Sequence, residues 1–215
     1  MKKNVAPLIL AVTVILLITL SSCNTNTEKK ETKDTSAMDH ESLKPAAGLG
    51  YADSVNSGLI AVDTMKSSPH RMAMANIGDA HIHIEYGSPG VKERIVWGGL
   101  VPYDKVWVTG AHSATNISFS KDVLFGDKKI AAGKYAFFTI PGKEKWIIII
   151  NKNYEQHLAD EYNEADDIAR ITVTPEMNPS LVQRLTYAVK ETEKNKGEII
   201  MQWEKIAIHI PVAQE

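Results

Sequence analysis

Two histidines and a glutamate stand at every second position of the segment "AHIHIEY". In a strand this spacing puts His81, His83 and Glu85 on one face, with neighbouring side chains about 7 Å apart. Imidazole nitrogens bind zinc and copper readily, so His81 and His83 are candidate metal ligands, with His70 as a candidate third. The sequence has no HExxH motif and no cysteine pair that would define the metal site further.

Thioether sulfurs lie close to these histidines in the sequence. If "HRMAMAN" is a strand, Met72 and Met74 share a face with His70, and Met38 and His40 would add a mobile pair. Thioether and imidazole ligands together suit Cu(I). The alternative is that both methionines lie in the core, and that the histidines of the next strand form a solvated face.

Aromatic rings and short polar side chains are combined in the segment "WVTGAHSATNISFS". Tyr103, Trp107, His112 and Thr115 are candidate ligand-binding residues for a glycan or a peptide, because rings stack on a ligand and polar groups orient it. His112 and Thr115 fall in a predicted loop, which makes them the better candidates for surface positions. The alternative is that Trp97 and Trp107 close the end of a sandwich.

Two charged segments carry weaker signals. The acidic segment "EQHLADEYNEADD" lacks the central glycine of an EF-hand loop, so a solvated loop is expected. Lys92 and Arg94 in "SPGVKER" would suit an anion, but charged loop residues are usually only solvated.

The sequence contains no GxSxG motif, no cysteine nucleophile and no glycine-rich phosphate loop. These absences favour a non-enzymatic role, although two carboxylates of a hydrolase could still be assembled in space.

A period of two runs through most of the chain from residue 69 onward. Apolar residues alternate with polar ones in three segments, at Ile82, Ile84 and Tyr86, at Ile117 and Phe119, and at Ile206, Ile208 and Ile210. The segment Trp146 to Asn151, "WIIIIN", is apolar throughout and fits a strand covered on both sides. Turn dipeptides are expected at Gly126-Asp127, Ala132-Gly133, Pro141-Gly142 and Lys196-Gly197.

About ten such strands predict an all-β fold, either an antiparallel β-sandwich or a jelly-roll-like barrel. One or two short helices are expected, at Tyr154 to Tyr162 and at Val91 to Trp97. Further strands are predicted at Arg71 to Asn76, Ala169 to Thr174 and Arg184 to Val189.

Three longer segments carry a family resemblance. They are "YGSPGVKERIVWGGLVPYDKVWVTGAHSATNISFSKDV", "AGKYAFFTIPGKEKW" and "IIMQWEKIAIHIPV". From about Ser68 to Val212 the chain resembles the bacterial family catalogued as domain of unknown function 2911. The resemblance implies an exported, often lipid-anchored and β-rich protein without an assigned activity. The family pattern tends to have Arg and Asn where this chain has Val108 and His112, so a polar site common to the family would be altered here.

The first residues resemble a bacterial lipoprotein signal. Two lysines precede a short apolar run from Leu8 to Leu20, and Leu20-Ser21-Ser22-Cys23 resembles a lipobox. We therefore expect a signal peptide over residues 1–22 and acylation of Cys23, the only cysteine in the chain. Residues 23–68 are polar or rich in small residues and are predicted to be a flexible tether. The β-domain is predicted over residues 69–215.

These features predict a lipid-anchored protein of the bacterial cell envelope, on the periplasmic or surface side, that contacts the membrane through Cys23. A net charge of −2 with scattered lysines and arginines argues against a nucleic-acid partner. The first functional hypothesis is a binding or structural module. The alternatives are handling of envelope copper or zinc through His81 and His83, and a hydrolase.

Overall fold

The computed structural model describes residues 50–215, and the predicted signal peptide, Cys23, Met38 and His40 lie outside this range. Most of the described chain is extended because β-branched and aromatic residues alternate with polar ones. Within this range no helix is long and apolar enough to cross a membrane. The elements are α1 Tyr51–Asn56, β1 His70–Ile77, β2 Ala80–Gly87, β3 Thr115–Phe119, β4 Val123–Phe125, β5 Lys128–Ile130, β6 Gly133–Ile140, β7 Trp146–Asn151, a 3₁₀ turn Glu164–Asp166, β8 Asp167–Val173, β9 Glu176–Glu193 and β10 Lys196–Gln214.

The strands form two open antiparallel sheets, which confirms the predicted β-sandwich. One sheet has six strands in the order β1-β2-β3-β6-β7-β8, and the other has four in the order β5-β4-β10-β9. Hairpins connect four of the eight neighbouring strand pairs, and all eight pairs are antiparallel. Because both sheets are open, the alternative of a closed barrel does not apply.

The core lies between the two sheets and follows the predicted alternation. Ile82 and Ile84 of β2 and Ile117 of β3 are buried, and Ile208 and Ile210 of β10 meet them from the other sheet. Each fully buried side chain of this size contributes about 1.5–3 kcal/mol relative to an exposed one. The polar residues between them face outward on β2 and β3, whereas the outer face of β1 also carries the exposed Met72 and Met74.

Strand β7 is covered on both faces, as its sequence predicts. Trp146, Ile148 and Ile150 belong to the main core, whereas Ile149 joins a second apolar cluster on the outer side of the sheet. Loop residues supply part of that second cluster, among them Val108. The same loop contains the candidate ligand residues, so covering β7 also fixes that loop against the sheet.

Both predicted helices are absent from the described chain. Val91 to Trp97 and Tyr154 to Tyr162 form turns, bends and irregular loops. Positive φ angles interrupt both segments, at Lys92 (49°), Glu93 (57°) and Leu158 (61°). A single residue with left-handed backbone stops a right-handed helix, and nothing in the local composition reveals it.

The tether prediction does not hold for residues 50–68. Helix α1 lies in this range, and its residues Ala52, Ser54 and Val55 are buried. The side chain of Arg184 in β9 is fully buried and donates to the Asp63 carboxylate at 2.7 Å. It also donates to the backbone carbonyl of Met65 at 2.7 Å. A weakly apolar segment is therefore held by specific polar contacts from a distant strand.

The turn between β9 and β10 lies two residues before its predicted position. Lys194 and Asn195 form it, and Asn195 takes a left-handed backbone with φ 62°. Asparagine tolerates this region better than most residues. Gly197 instead lies in β10, where a Cβ would meet the carbonyl oxygen of Lys190 at 2.3 Å. This glycine serves strand packing rather than the turn.

Candidate functional site

All four tryptophans of the chain lie together. Trp146 and Trp203 are buried in the core, and Trp97 and Trp107 are partly buried and pack against it. Trp107 stacks on Trp203 with 5.8 Å between ring centroids and an interplanar angle of 21°. Trp97 meets Trp146 edge to face at 4.9 Å. Aromatic pairs of this kind contribute about 0.5–1.5 kcal/mol beyond burial. The cluster supports the expectation that Trp97 and Trp107 close an end of the sandwich.

The loop after Trp107 has an unusual backbone. Thr109 and His112 both have left-handed conformations, with φ of 53° and 71°. This region is uncommon for residues with a Cβ and is a true outlier for a β-branched residue such as threonine. Such strain costs about 1–3 kcal/mol per residue and persists only where the surroundings enforce it.

Buried hydrogen bonds enforce the conformation of Thr109. Its backbone carbonyl accepts from the hydroxyl of Tyr187 at 2.7 Å and from the hydroxyl of Thr115 at 3.0 Å. The Trp107 indole donates to the Gly110 carbonyl at 3.2 Å. Burial also raises the pKa of Tyr187 well above its ordinary value, so the hydroxyl stays protonated as a donor.

Close backbone packing fixes the rest of this loop. A Cβ at Gly87 would meet the carbonyl oxygen of Ala111 at 2.3 Å, so only glycine permits this approach of β2 to the loop. On the other side, the backbone amide of Leu158 donates to the His112 carbonyl at 2.9 Å. Ala114 donates to the Gln156 carbonyl at 3.0 Å. The loop is thus held between β2 and the 152–162 segment.

An apolar cavity of about 280 Å³ opens on one side of His112. Its walls include both stacked tryptophans and two leucines that are roughly 40% exposed, Leu100 and Leu158. The cationic side chain of Arg94 lies on the same wall. Apolar rings beside a single charged group suit a ligand with an apolar or sugar-ring part and an anionic group.

A polar cavity of about 280 Å³ opens on the other side of His112. Its lining includes His70, Glu85, Ser113 and Asn116. The Asn116 amide oxygen is buried and has no hydrogen-bond partner among the described residues. An unpaired buried acceptor of this kind costs about 1–3 kcal/mol. Ser68, Ala111 and His112 line both cavities, so the two form one cleft.

Glu85 carries a negative charge into the polar cavity. Lys134 donates to its carboxylate at 2.9 Å, and this hydrogen bond holds the pKa of Glu85 below its ordinary value of 4.5. The nearby His70 and His83 act in the same direction. Glu85 is therefore an acceptor at neutral pH rather than a proton donor.

The candidate ligand residues divide into two groups. Trp107 and His112 both line the cleft. Tyr103 lies apart from it, beside Gly98 and 5.9 Å from the Lys143 ammonium. Thr115 is fully buried, so its expected surface position is wrong. The reason is that β3 begins at Thr115, and its hydroxyl points inward to hold the Thr109 carbonyl.

The candidate metal residues are not gathered around one point. His81 and His83 are neighbours on β2 with ring centroids 6.5 Å apart, whereas His70 lies in the wall of the polar cavity. Over residues 50–215, no three His, Cys, Asp or Glu side chains are placed to hold a metal ion together. Met72 and Met74 are 55% and 51% exposed, so the alternative that they lie in the core is wrong.

The two charged segments mainly serve the fold. In the acidic segment, the Asp167 carboxylate accepts from Arg170 and from Tyr162, both at 2.7 Å. In the other segment, Lys92 donates to the carbonyl of Met65, and Arg94 donates to that of Gly90 at 2.5 Å. Of these residues, only Arg94 lines the cleft.

Several residues of the cleft carry no local signal in the sequence. Leu100, Leu158 and Asn116 come from three different segments and follow no motif. Ser68 falls within the predicted tether, although it lines both halves of the cleft. Residue types in the 107–114 loop indicate the place, whereas the left-handed backbone at Thr109 and His112 is not visible in the sequence.

A two-sheet antiparallel sandwich with a cleft at one end defines the class of this domain. Residues 68–212 match the model of the family described as a protein of unknown function, DUF2911. The chain belongs to this family, as its sequence motifs predicted. No curated protein and no solved structure matches the chain.

Proposed function

We propose that this protein is a binding module whose ligand occupies the cleft around His112. The observation that carries the proposal is the position of His112, a strained residue exposed to solvent between an apolar and a polar cavity. Strained backbone that the surroundings enforce is concentrated at functional sites. Buried bonds from Tyr187 and Thr115 hold the loop ready for a ligand, which lowers the entropic cost of binding.

The chemistry of the cleft indicates an amphipathic ligand such as an envelope glycan or peptide. A sugar or apolar ring would lie against Trp107 and Leu100, with an acidic group near Arg94. A donor group of the ligand would face the Glu85 carboxylate in the polar half. Muropeptides combine a sugar with a short acidic peptide and match both halves.

The proposal includes attachment to a bacterial membrane through an acylated Cys23. The lipobox-like sequence before Cys23 supports it, and acylation by several chains would give stable attachment. Mass spectrometry of the protein from its native envelope tests this part. A mature chain beginning with acylated Cys23 is expected, and any other N-terminus contradicts it.

A saturation-transfer NMR screen of muropeptides tests ligand binding. Separate samples of the sugar part and the peptide part show which half is recognised. The exposed imidazole of His112 is removed in His112→Ala, and the matched control is His157→Ala, an exposed histidine that lines neither half of the cleft. We expect binding to weaken about 10-fold or more in the first variant only, as for one lost polar contact of about 1.4 kcal/mol. Equal affinity in both variants contradicts the proposal.

A further inference from the structure

Two thioethers and two imidazoles share the outer face of the hairpin β1–β2. Met74 pairs directly with His83 across the hairpin, and Asn76 pairs with His81. Directly paired residues have Cβ atoms about 4.5–5.5 Å apart. Met72 precedes Met74 on the same face, two residues away. Met72 and His81 therefore flank the Met74–His83 pair, and four side chains with soft or borderline donor atoms share this face.

Burial in the core does not explain why Met72 and Met74 are apolar. Met72 is 55% exposed and Met74 is 51% exposed, although alternation on β1 places the small residues Ala73 and Ala75 on the inner side. An edge strand gains nothing from apolar side chains on its wet face and is usually protected by charge. Two exposed thioethers beside histidines therefore suggest a chemical use for sulfur.

The histidines have lone pairs available for a metal ion. The Asn76 amide oxygen accepts from His81 Nδ1 at 2.7 Å, which leaves His81 Nε2 as an acceptor or metal ligand. Metal-binding histidines typically have the other ring nitrogen held by such a partner. His83 Nε2 is buried and has no hydrogen-bond partner among the described residues. An unpaired buried nitrogen is costly unless something binds it.

We propose that Met72, Met74, His81 and His83 form a binding site for Cu(I). Thioether sulfur is a soft ligand that selects Cu(I), and imidazole also binds copper. Met74 and His83 would form its centre, and Met72 and His81 would complete it from either side. Methionine has three rotatable side-chain bonds, so its sulfur can reach an ion without movement of the backbone.

Binding of one ion by both histidines requires a change in their side-chain torsions. Two imidazoles that bind one ion through bonds of about 2.0 Å have ring centroids about 5 Å apart at a tetrahedral angle and about 6 Å apart when the two bonds are nearly collinear. The ring centroids of His81 and His83 are 6.5 Å apart, so the rings must move closer and turn toward a common point.

The same face disfavours zinc and calcium. Zinc takes nitrogen, thiolate and carboxylate ligands, and the nearest carboxylate on β2, Glu85, already accepts a hydrogen bond from Lys134. Thioethers contribute little to a zinc or calcium site. This site is separate from the proposed ligand cleft, because none of its four residues lines either cavity.

Competition titration with a chromogenic Cu(I) chelator under anaerobic conditions tests the site. All samples are the full chain in detergent with Cys23→Ser, so that no thiol competes, and Ag(I) serves as a redox-inert substitute. We expect one equivalent to bind. The double variant Met72→Leu, Met74→Leu and the variant His83→Ala should each weaken binding about 100-fold, and the positioning variant Asn76→Ala should weaken it about 10-fold.

Two controls separate this site from other ligands. Met177→Leu removes a thioether that is 70% exposed on β9 and should leave the affinity unchanged. Met38→Leu with His40→Ala tests the segment before the domain and should also have no effect. Leucine replaces exposed methionine with little change in volume, and circular dichroism checks that each variant is folded.

NMR of methionine methyl groups gives an independent readout. One equivalent of Ag(I) should shift the methyl signals of Met72 and Met74 and leave that of Met177 in place. The proposal is overturned if the Met72 and Met74 double variant retains the starting affinity. It is also overturned if the variant of Met38 and His40 abolishes binding, or if the Met177 signal shifts with the others.

Discussion

The hydroxyl of Tyr187 in β9 donates to the backbone carbonyl oxygen of Thr109 at 2.7 Å. This bond joins the four-stranded sheet to the loop that carries His112. Tyr187 is buried, its ring meets that of Tyr86 edge to face at 4.7 Å, and its hydroxyl is fixed in direction. The sandwich core thereby sets the shape of the cleft at its end.

Removing this hydroxyl should loosen the loop. Tyr187→Phe leaves the ring in place and is expected to lower the free energy of unfolding by about 0.5–1.5 kcal/mol. Urea denaturation measures the change. The matched control is Tyr135→Phe, whose hydroxyl donates to the Ala131 carbonyl at 2.9 Å in an exposed position. That variant should change stability by less than about 0.5 kcal/mol. Equal decreases in the free energy of unfolding of the two variants would show that the buried hydrogen bond of Tyr187 contributes no more than the exposed one.

Two substitutions at His112 separate the effect of backbone strain on stability from the effect of the imidazole on ligand binding. With φ at 71°, a Cβ is unfavourable there, so His112→Gly should be more stable than His112→Ala by about 1 kcal/mol. Both variants should lose ligand affinity, because both remove the imidazole. At His157, which has no positive φ, the order should reverse, since glycine costs unfolded-chain entropy. Thermal unfolding of the four variants measures these stabilities. The same order of the glycine and alanine variants at both positions would contradict backbone strain at His112.

The ion pair of Asp63 with Arg184 should hold residues 50–68 on the domain. Both side chains are buried, at 6% and 0% exposure, so Asp63→Ala leaves a buried charge unpaired and should cost about 3–5 kcal/mol. Limited proteolysis should then cut within residues 50–68. The control Glu193→Ala breaks a surface pair with Lys196 and should cost less than about 1 kcal/mol. Similar costs for the two variants would mean that the segment is not held by this pair.

Stability should fall at high pH, in part through Tyr162. Burial and the neighbouring Asp167 raise the pKa of Tyr162 from 10 to about 12 in the folded state. Between these values the unfolded chain loses this proton while the folded chain keeps it, so the stabilisation present below pH 10 is lost as pH rises through 12. Thermal unfolding from pH 9 to pH 12 should therefore show a shallower decline for Tyr162→Phe. Parallel declines would contradict the raised pKa.

Much of the fold could be predicted because alternation at Ile82, Ile84 and Ile117 reports a buried strand face directly. The continuous apolar run of β7 likewise indicated cover on both sides. The sequence does not predict helix α1, because the contacts that hold it come from Arg184, 128 positions from its Asn56 partner. Pairings of this kind depend on the folded arrangement and leave no local periodicity.

The site could be predicted only in part, for a similar reason. Trp107 is a predicted ligand residue because of its ring, and His112 because it is a polar residue in a predicted loop. The predicted surface position of Thr115 is wrong because β3 begins at this residue, where its side chain turns inward. The exposure of Met72 and Met74 follows from the register of β1 with β2, which the sequence does not determine.

The central claim is that a ligand binds in the cleft around His112. Chemical-shift mapping tests this claim most directly. The ¹⁵N-labelled chain is titrated with muropeptides, and backbone amide shifts are followed at each residue. We predict that the largest shifts fall within residues 107–114, with further shifts at Ser68 and Leu100. Shifts confined to β9 and β10, or none at a muropeptide concentration of several millimolar, would contradict the account.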